Sequence, residues 1–101
     1  MSKVRLEFFS WLADTLAVEG TGGEIILEEG IEENKTVRDV LSHLAVGHPR
    51  FGELIFDVKT QKLIGRVSIF FNGRLLEMAN GLDTRLRDGD VLTFVPPIEG
   101  G

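Results

Sequence analysis

Two apolar alternations stand at opposite ends of this chain, and each needs buried neighbours on both sides. Near the start, Val4, Leu6 and Phe8 alternate with Arg5 and Glu7; near the end, Val91-Leu92-Thr93-Phe94-Val95 follows an Asp88-Gly89-Asp90 turn. A period of two is the mark of a strand with one buried face. Setting these terminal strands side by side at the centre of one sheet satisfies both, provided that a helix covers the apolar face in a small α+β layer architecture. The 101 residues give room for one such core and no second.

The covering helix is predicted to begin after Thr36. Val37, Val40, Leu41, Leu44 and Ala45 recur at spacings of three and four, Asp39 sits in the first turn, and His48-Pro49 closes the segment. A second strand is expected at Glu24 to Leu27, and Ser10 is placed to cap a short helix carrying Trp11, Leu12, Leu16 and Ala17. Val67 to Phe71 reads as a strand that Asn72-Gly73 turns back, antiparallel, through Leu75 and Leu76. Residues 81–86 read as a connection with one helical turn. Residues 50–65 carry the weakest pattern, with Leu54-Ile55-Phe56 apolar and Lys59 to Lys62 a loop tip. No repeat or low-complexity tract interrupts the pattern, which predicts one compact domain over 1–95 and a flexible tail over 96–101.

Several function classes are excluded or disfavoured. The chain has no cysteine, so it offers no disulfide, thiolate nucleophile or Cys-ligated metal centre. Its eleven Lys and Arg are scattered among sixteen acids for a net charge of −5, unlike the massed positive surface that nucleic acid requires. No apolar run is long enough to span a bilayer, and Met1-Ser2-Lys3-Val4-Arg5-Leu6-Glu7 lacks the continuous apolar stretch of a secretion signal, so a cytoplasmic location is expected. His43 and His48 have no third ligand at suitable spacing, and no metal site is expected. Glu28-Glu29 and Glu32-Glu33 read as a solvated loop, Trp11 as a cap on the core, and Gly20, Gly22 and Gly23 as a flexible connection without the lysine of a phosphate loop.

One constellation does carry chemistry. After the last strand come Pro96-Pro97, a stiff stem, then Ile98-Glu99 and a closing Gly100-Gly101. Two residues without Cβ at a chain end would leave the α-carboxylate of Gly101 unshielded, able to enter another protein's active site. The whole segment from Leu86 to Gly101 resembles the C-terminus of the ubiquitin-like sulfur carriers, the family of molybdopterin synthase small subunits and thiamine-pathway sulfur carriers. Its shared pattern is the acidic-Gly-Asp turn, the apolar strand, the prolines and the terminal Gly-Gly. Val4 to Phe9, Phe71-Asn72-Gly73 and Gly81-Leu82 extend the likeness to the start and centre of the chain.

The resemblance implies a ubiquitin-like β-grasp, a mixed sheet with one main helix packed on one face. It implies a protein co-substrate and not an enzyme in its own right, although the small subunit of a molybdopterin synthase fits the same description. An E1-like adenylating enzyme would use ATP to activate Gly101, and a sulfurtransferase or other persulfide donor would convert it to a thiocarboxylate; Gly100 would give the tail access to a narrow channel. The carrier binds no cofactor itself. Phe9, Phe94, Val95, Pro96, Pro97 and Ile98 match positions that contact partner enzymes in the family, while strand alternation requires one of Phe94 and Val95 to lie in the core. The Pro-Pro stem most resembles the molybdopterin branch, whose acceptor is the synthase large subunit. Thiamine, cysteine or tRNA thiolation, and conjugation to lysines as a protein modifier, are the alternatives. The chain departs from the compact small subunits in its additions around 20–35 and 61–65, and no basic residue follows the first strand between Ser10 and Thr15.

Overall fold

The computed structural model describes residues 2–9, 24–32, 34–65 and 67–95. The expected short helix after Ser10, Glu33, and the whole tail, Pro96, Pro97, Ile98, Gly100 and Gly101 included, lie outside the described residues. In chain order the elements are β1 (Ser2–Phe9), β2 (Glu24–Ile31), α1 (Val37–Gly47), α2 (Pro49–Leu54), β3 (Phe56–Asp57), β4 (Lys62–Leu63), β5 (Ser68–Phe71), β6 (Arg74–Leu75) and β7 (Val91–Val95). Short 3₁₀ turns at Leu76–Met78 and Gly81–Asp83 bridge β6 to the last connection.

The main sheet runs β2-β1-β7-β5-β6, and β3 and β4 form a separate small hairpin. The terminal strands β1 and β7 lie parallel in the middle, with Leu6 opposite Leu92 and Phe8 opposite Phe94. All other pairings in the main sheet are antiparallel. Side chains alternate as the period-two pattern predicts: Val4, Leu6, Phe8, Ile69, Leu92 and Phe94 are buried under the helices. A mixed sheet with its terminal strands parallel at the centre and a helix across one face is the β-grasp implied by the sequence resemblance.

Helix α1 starts where its cap dictates. The Thr36 hydroxyl accepts from the Asp39 amide while the Asp39 carboxylate accepts from the Thr36 amide at 2.9 Å, so two of the helix's unpaired donors are satisfied reciprocally. These bonds, foremost the one from the Thr36 backbone, hold the Asp39 carboxyl below the ordinary aspartate value. All five residues of the predicted stripe, Val37, Val40, Leu41, Leu44 and Ala45, are buried. The start of the helix is also tied to the segment that leads into β7, through Val37 N–H to the Thr84 carbonyl and Leu86 N–H to the Lys35 carbonyl.

Three features differ from the sequence expectation. Strand β2 runs on to Ile31, so Glu28 and Glu29 are strand residues and not part of a loop. Pairing with β1 overrides the weak strand preference of glutamate, and Glu28 falls opposite Arg5, an opposite-charge pairing that a sheet favours. Helix α2 fills part of the unclear stretch: His48 ends α1 and begins α2, with Pro49 at the first helical position, where its missing N–H costs nothing. Its Phe51 enters the core, and Gly52 lets the two helices close up, since a Cβ there would stand 3.2 Å from the Ala45 carbonyl oxygen. Finally, Leu76 leaves β6 for a 3₁₀ turn in place of the expected strand position, and its side chain is buried.

Candidate functional site

The candidate site is the end of β7, from which the diglycine tail departs. Strand β7 is held on both flanks, by β1 and by β5, in a register that runs Phe71 to Leu92, Phe70 to Thr93, Ile69 to Phe94 and Ser68 to Val95. Its last pair therefore lies at Val95, one residue before Pro96. Within the strand Leu92 and Phe94 are buried, while Val91, Thr93 and Val95 are half-buried on the opposite face.

Phe94 anchors the base of the tail. Its ring stacks on Phe8 with centroids 4.4 Å apart and planes 11° from parallel, and the Phe51 ring meets both edge-on at 6.1 Å. Phe94 is fully buried, which corrects the expectation that it offers a contact to a partner: its ring points under the sheet into the core. Val95 is the partner-contact candidate that reaches the open face. Phe9 ends β1, beyond the Phe8–Phe94 pair, and its side chain lies outside the described part of the structure.

The other end of β7 is fastened by polar groups. Gly89 adopts φ +88°, a backbone conformation that glycine reaches without strain, and the turn brings both aspartates onto neighbouring strands. Lys3 N–H donates to Asp88 Oδ1 at 2.9 Å, Gly89 N–H to the Lys3 carbonyl at 2.9 Å, and Arg5 N–H to the Asp90 carbonyl at 2.9 Å. Asp90 also accepts from Arg87 N–H at 2.7 Å and from the Asn72 side-chain amide at 3.0 Å. Asn72 then closes the loop, its Oδ1 accepting from Val91 N–H at 2.8 Å. One asparagine at left-handed φ 49° thus makes the β5–β6 turn and also holds the first residue of β7. The sequence reading assigned Asn72 only the turn; the signal for the second role is that its turn and the Asp-Gly-Asp turn must lie at the same end of antiparallel neighbours.

The sheet face away from the helices carries a mixed surface. Glu7 and Thr93 are side by side in the parallel register, and the Thr93 hydroxyl donates to Glu7 Oε1 at 3.1 Å. Arg5 pairs with Glu7 at 3.3 Å, a half-exposed contact of little energetic weight. Around this polar centre lie the half-buried Phe70, Leu75, Val91 and Val95 and the exposed Ile26. Phe70 and Leu75 were not singled out from the sequence, although the alternation of β5 places Phe70 opposite Thr93 on this face.

The remaining candidates sit apart from β7. His43 is exposed on α1 and His48 caps α2, and among the described residues no group of His, Asp and Glu is placed to hold a metal ion. No helix of the described residues is long and apolar enough to cross a membrane.

Comparison with known proteins adds to this geometry. The model of the ThiS family matches residues 15–101. A protein of Archaeoglobus fulgidus described as a sulfur carrier protein is 49% identical over 35 residues, 35% of this chain; the match spans only 40% of that relative's length. Small archaeal modifier protein 3 of Haloferax volcanii is 33% identical over 72 residues, 70% of this chain and 75% of its own. Among solved structures, a Pyrococcus furiosus protein described as molybdopterin converting factor subunit 1 is similar with a TM-score of 0.71 and 26% identity, over 97% of this chain and 100% of the other.

Proposed function

The chain belongs to the ThiS family, and on that premise we propose that it is a sulfur carrier whose working atom is at the carboxylate of Gly101. A carboxylate is a poor electrophile. Transfer of AMP from ATP by an E1-like enzyme, with loss of pyrophosphate, makes the Gly101 carbonyl an acyl adenylate with a good leaving group. The terminal sulfur of a protein persulfide displaces AMP, and a thiol reduces the resulting S–S bond to leave a thiocarboxylate. The carrier needs no cysteine for this, in keeping with its composition. We infer a cytoplasmic setting, where ATP is at hand for the activating enzyme.

The observation that carries this reading is the way β7 ends. The strand is locked between β1 and β5 up to Val95, with the Phe94 ring fixed beneath it, and six residues follow. Six extended residues span at most about 20 Å, enough to carry Gly101 from the domain into a buried catalytic centre while the domain stays outside. Pro96 and Pro97 reduce the entropy lost when such a tail is threaded, and Gly100 and Gly101 leave no side chain near the reacting carbonyl. Val95, Phe70 and Leu75, on the open sheet face of β7, β5 and β6, form the contact surface for the activating and accepting enzymes.

For the destination we favour the dithiolene sulfurs of molybdopterin, with a synthase large subunit as acceptor. The Pro96-Pro97 stem and the likeness to the Pyrococcus furiosus protein support this choice. A second reading, conjugation of Gly101 to lysines of other proteins, is favoured by the likeness to a small archaeal modifier. The two share their chemistry as far as the adenylate and part at the nucleophile.

The test is intact-mass measurement after incubation with ATP, an E1-like enzyme and a persulfide donor. Exchange of one carboxylate oxygen for sulfur raises the mass by about 16 daltons, as capture of the adenylate by sulfur requires. No gain with an enzyme shown to adenylate the chain would overturn the carrier reading. Lysine-linked Gly-Gly remnants in digests of an expressing strain would establish the modifier reading.

A further inference from the structure

Strand β2 is the long free edge of the sheet. It has eight residues, against two in the opposite edge strand β6, and among the described residues no strand pairs with its outer side. An open edge presents a row of backbone donors and acceptors to any extended chain. Beside this edge a cleft of about 370 Å³ separates β2 from α1, and Glu29, Ile31, Glu32, Asp39, Val40 and His43 line it. We propose that this edge and cleft dock an extended, lysine- or arginine-bearing segment of a partner protein, which adds to the sheet as a further strand.

Charge selects the occupant. Among the described residues three carboxylates and one ammonium, that of Lys35, line the cleft, and Glu28 is exposed on the other face of the same strand. A second copy of this chain is disfavoured, because pairing two β2 edges sets glutamate against glutamate and each copy carries a net charge of −5. Residues 10–23 contain no lysine or arginine, so the connection between β1 and β2 supplies no counter-charge of its own. A basic strand satisfies both faces at once. On the helix side, the aliphatic stem of a lysine or arginine lies along Ile31 and Val40 while its head reaches Glu29, Glu32 and Asp39. On the open side, a second basic residue meets Glu28 beside the exposed Ile26. Main-chain bonds give the affinity and the alternating pockets give the specificity.

The placement matters for a carrier. Strand β1 lies between β2 and β7, so a partner held at this edge leaves the tail free. A partner docked here could retain the protein while a second enzyme works on Gly101.

The experiment uses the full chain, labelled with ¹⁵N, and a capped octapeptide of sequence Val-Lys-Lys-Val-Val-Lys-Lys-Val, which as a strand presents lysines on both faces. Amide shifts are expected over residues 26–31 of β2 and 39–43 of α1. The same peptide with glutamate in place of lysine should give none, and raising the salt concentration should weaken binding. Glu29→Lys with Glu32→Lys should reduce affinity for the lysine peptide about tenfold, as reversal of one half-buried and one exposed charge implies. If that pair disturbs the fold, Glu32→Lys alone, exposed beyond the strand, should give a smaller loss in the same direction. N-methylation of alternate residues along the peptide edge that faces β2 should abolish binding by removing its hydrogen-bonding groups. Survival of binding after that methylation would reduce the contact to diffuse charge attraction and overturn the proposal, as would shifts confined to the open sheet face or no shifts at all.

Discussion

Replacing Phe94 separates a core role from a contact role at the base of the tail. The ring is fully buried between Phe8, stacked at 4.4 Å, and Phe51, edge-on at 6.1 Å. Truncating a buried phenylalanine to alanine costs about 3–5 kcal/mol, and two aromatic neighbours place this site at the upper end. A domain of this size has about 5–15 kcal/mol in total, so Phe94→Ala would leave the fold marginal, and Phe94→Leu is the better probe. It keeps most of the volume but loses the ring geometry, for a cost of about 1.5 kcal/mol. With a urea slope of about 1.5 kcal/mol per molar, the midpoint should fall by roughly 1 M with the slope unchanged. Val95→Ala, half-buried on the other face, should cost under about 1 kcal/mol. A double-mutant cycle of Phe8→Leu and Phe94→Leu should show a coupling of about 1 kcal/mol, as touching rings require. Should Val95→Ala cost more than Phe94→Leu, with no coupling to Phe8, β7 would be shifted by one residue and the reasoning about the tail's base would fail.

Asn72→Ala removes the acceptor for Val91 N–H and a donor to Asp90, and it puts alanine at φ 49°; the expected loss is about 1–2 kcal/mol, with the Val91 amide losing more exchange protection than the core. Gly89→Ala should cost about 1–2 kcal/mol in a thermal or urea melt from backbone strain alone, since φ is +88° and no atom lies within 4 Å of the added Cβ. Gly47→Ala, equally open but inside α1 without positive φ, should instead stabilise by about 0.5 kcal/mol. Thr36→Ala should lose about 1 kcal/mol of cap energy. Because folding lowers the Asp39 pKa, its contribution is present in full above the unfolded value of 3.8 and is lost as pH falls through the lower folded value. Urea midpoints of wild type and Asp39→Asn should therefore converge on acidification.

Much of this architecture was legible because burial and hydrogen bonding left local marks. The stripe of Val37, Val40, Leu41, Leu44 and Ala45 marks α1, and the alternations at Val4 to Phe8 and Val91 to Val95 mark the central strands. Glu28 and Glu29 were misleading because strand membership there comes from pairing with β1, a long-range contact that overrides residue preference. Helix α2 was hidden by its length: six residues with one buried side chain, Phe51, show no period. The choice between Phe94 and Val95 could not be read locally, since both are apolar and only the facing of Leu6 and Phe8 decides which one turns inward. Asn72 was visible as a turn residue, but its hold on Val91 depends on two turns 16 residues apart, Asn72 to Asp88, meeting in space.

The central claim is that sulfur is carried on Gly101, and the chain is well arranged for locating it. Trypsin cuts after Arg87, and residues 88–101 contain no further Lys or Arg, so the whole tail is released as one peptide. That peptide holds no Met, Trp or Cys; the methionines are Met1 and Met78 and the tryptophan is Trp11, so a gain in this peptide is not oxidation of those side chains. After incubation with an E1-like enzyme, ATP and a persulfide donor, this peptide should gain about 16 daltons, with fragments placing the gain on the last residue. An unshifted peptide, recovered from a reaction in which the enzyme consumed ATP only when this chain was present, would contradict it.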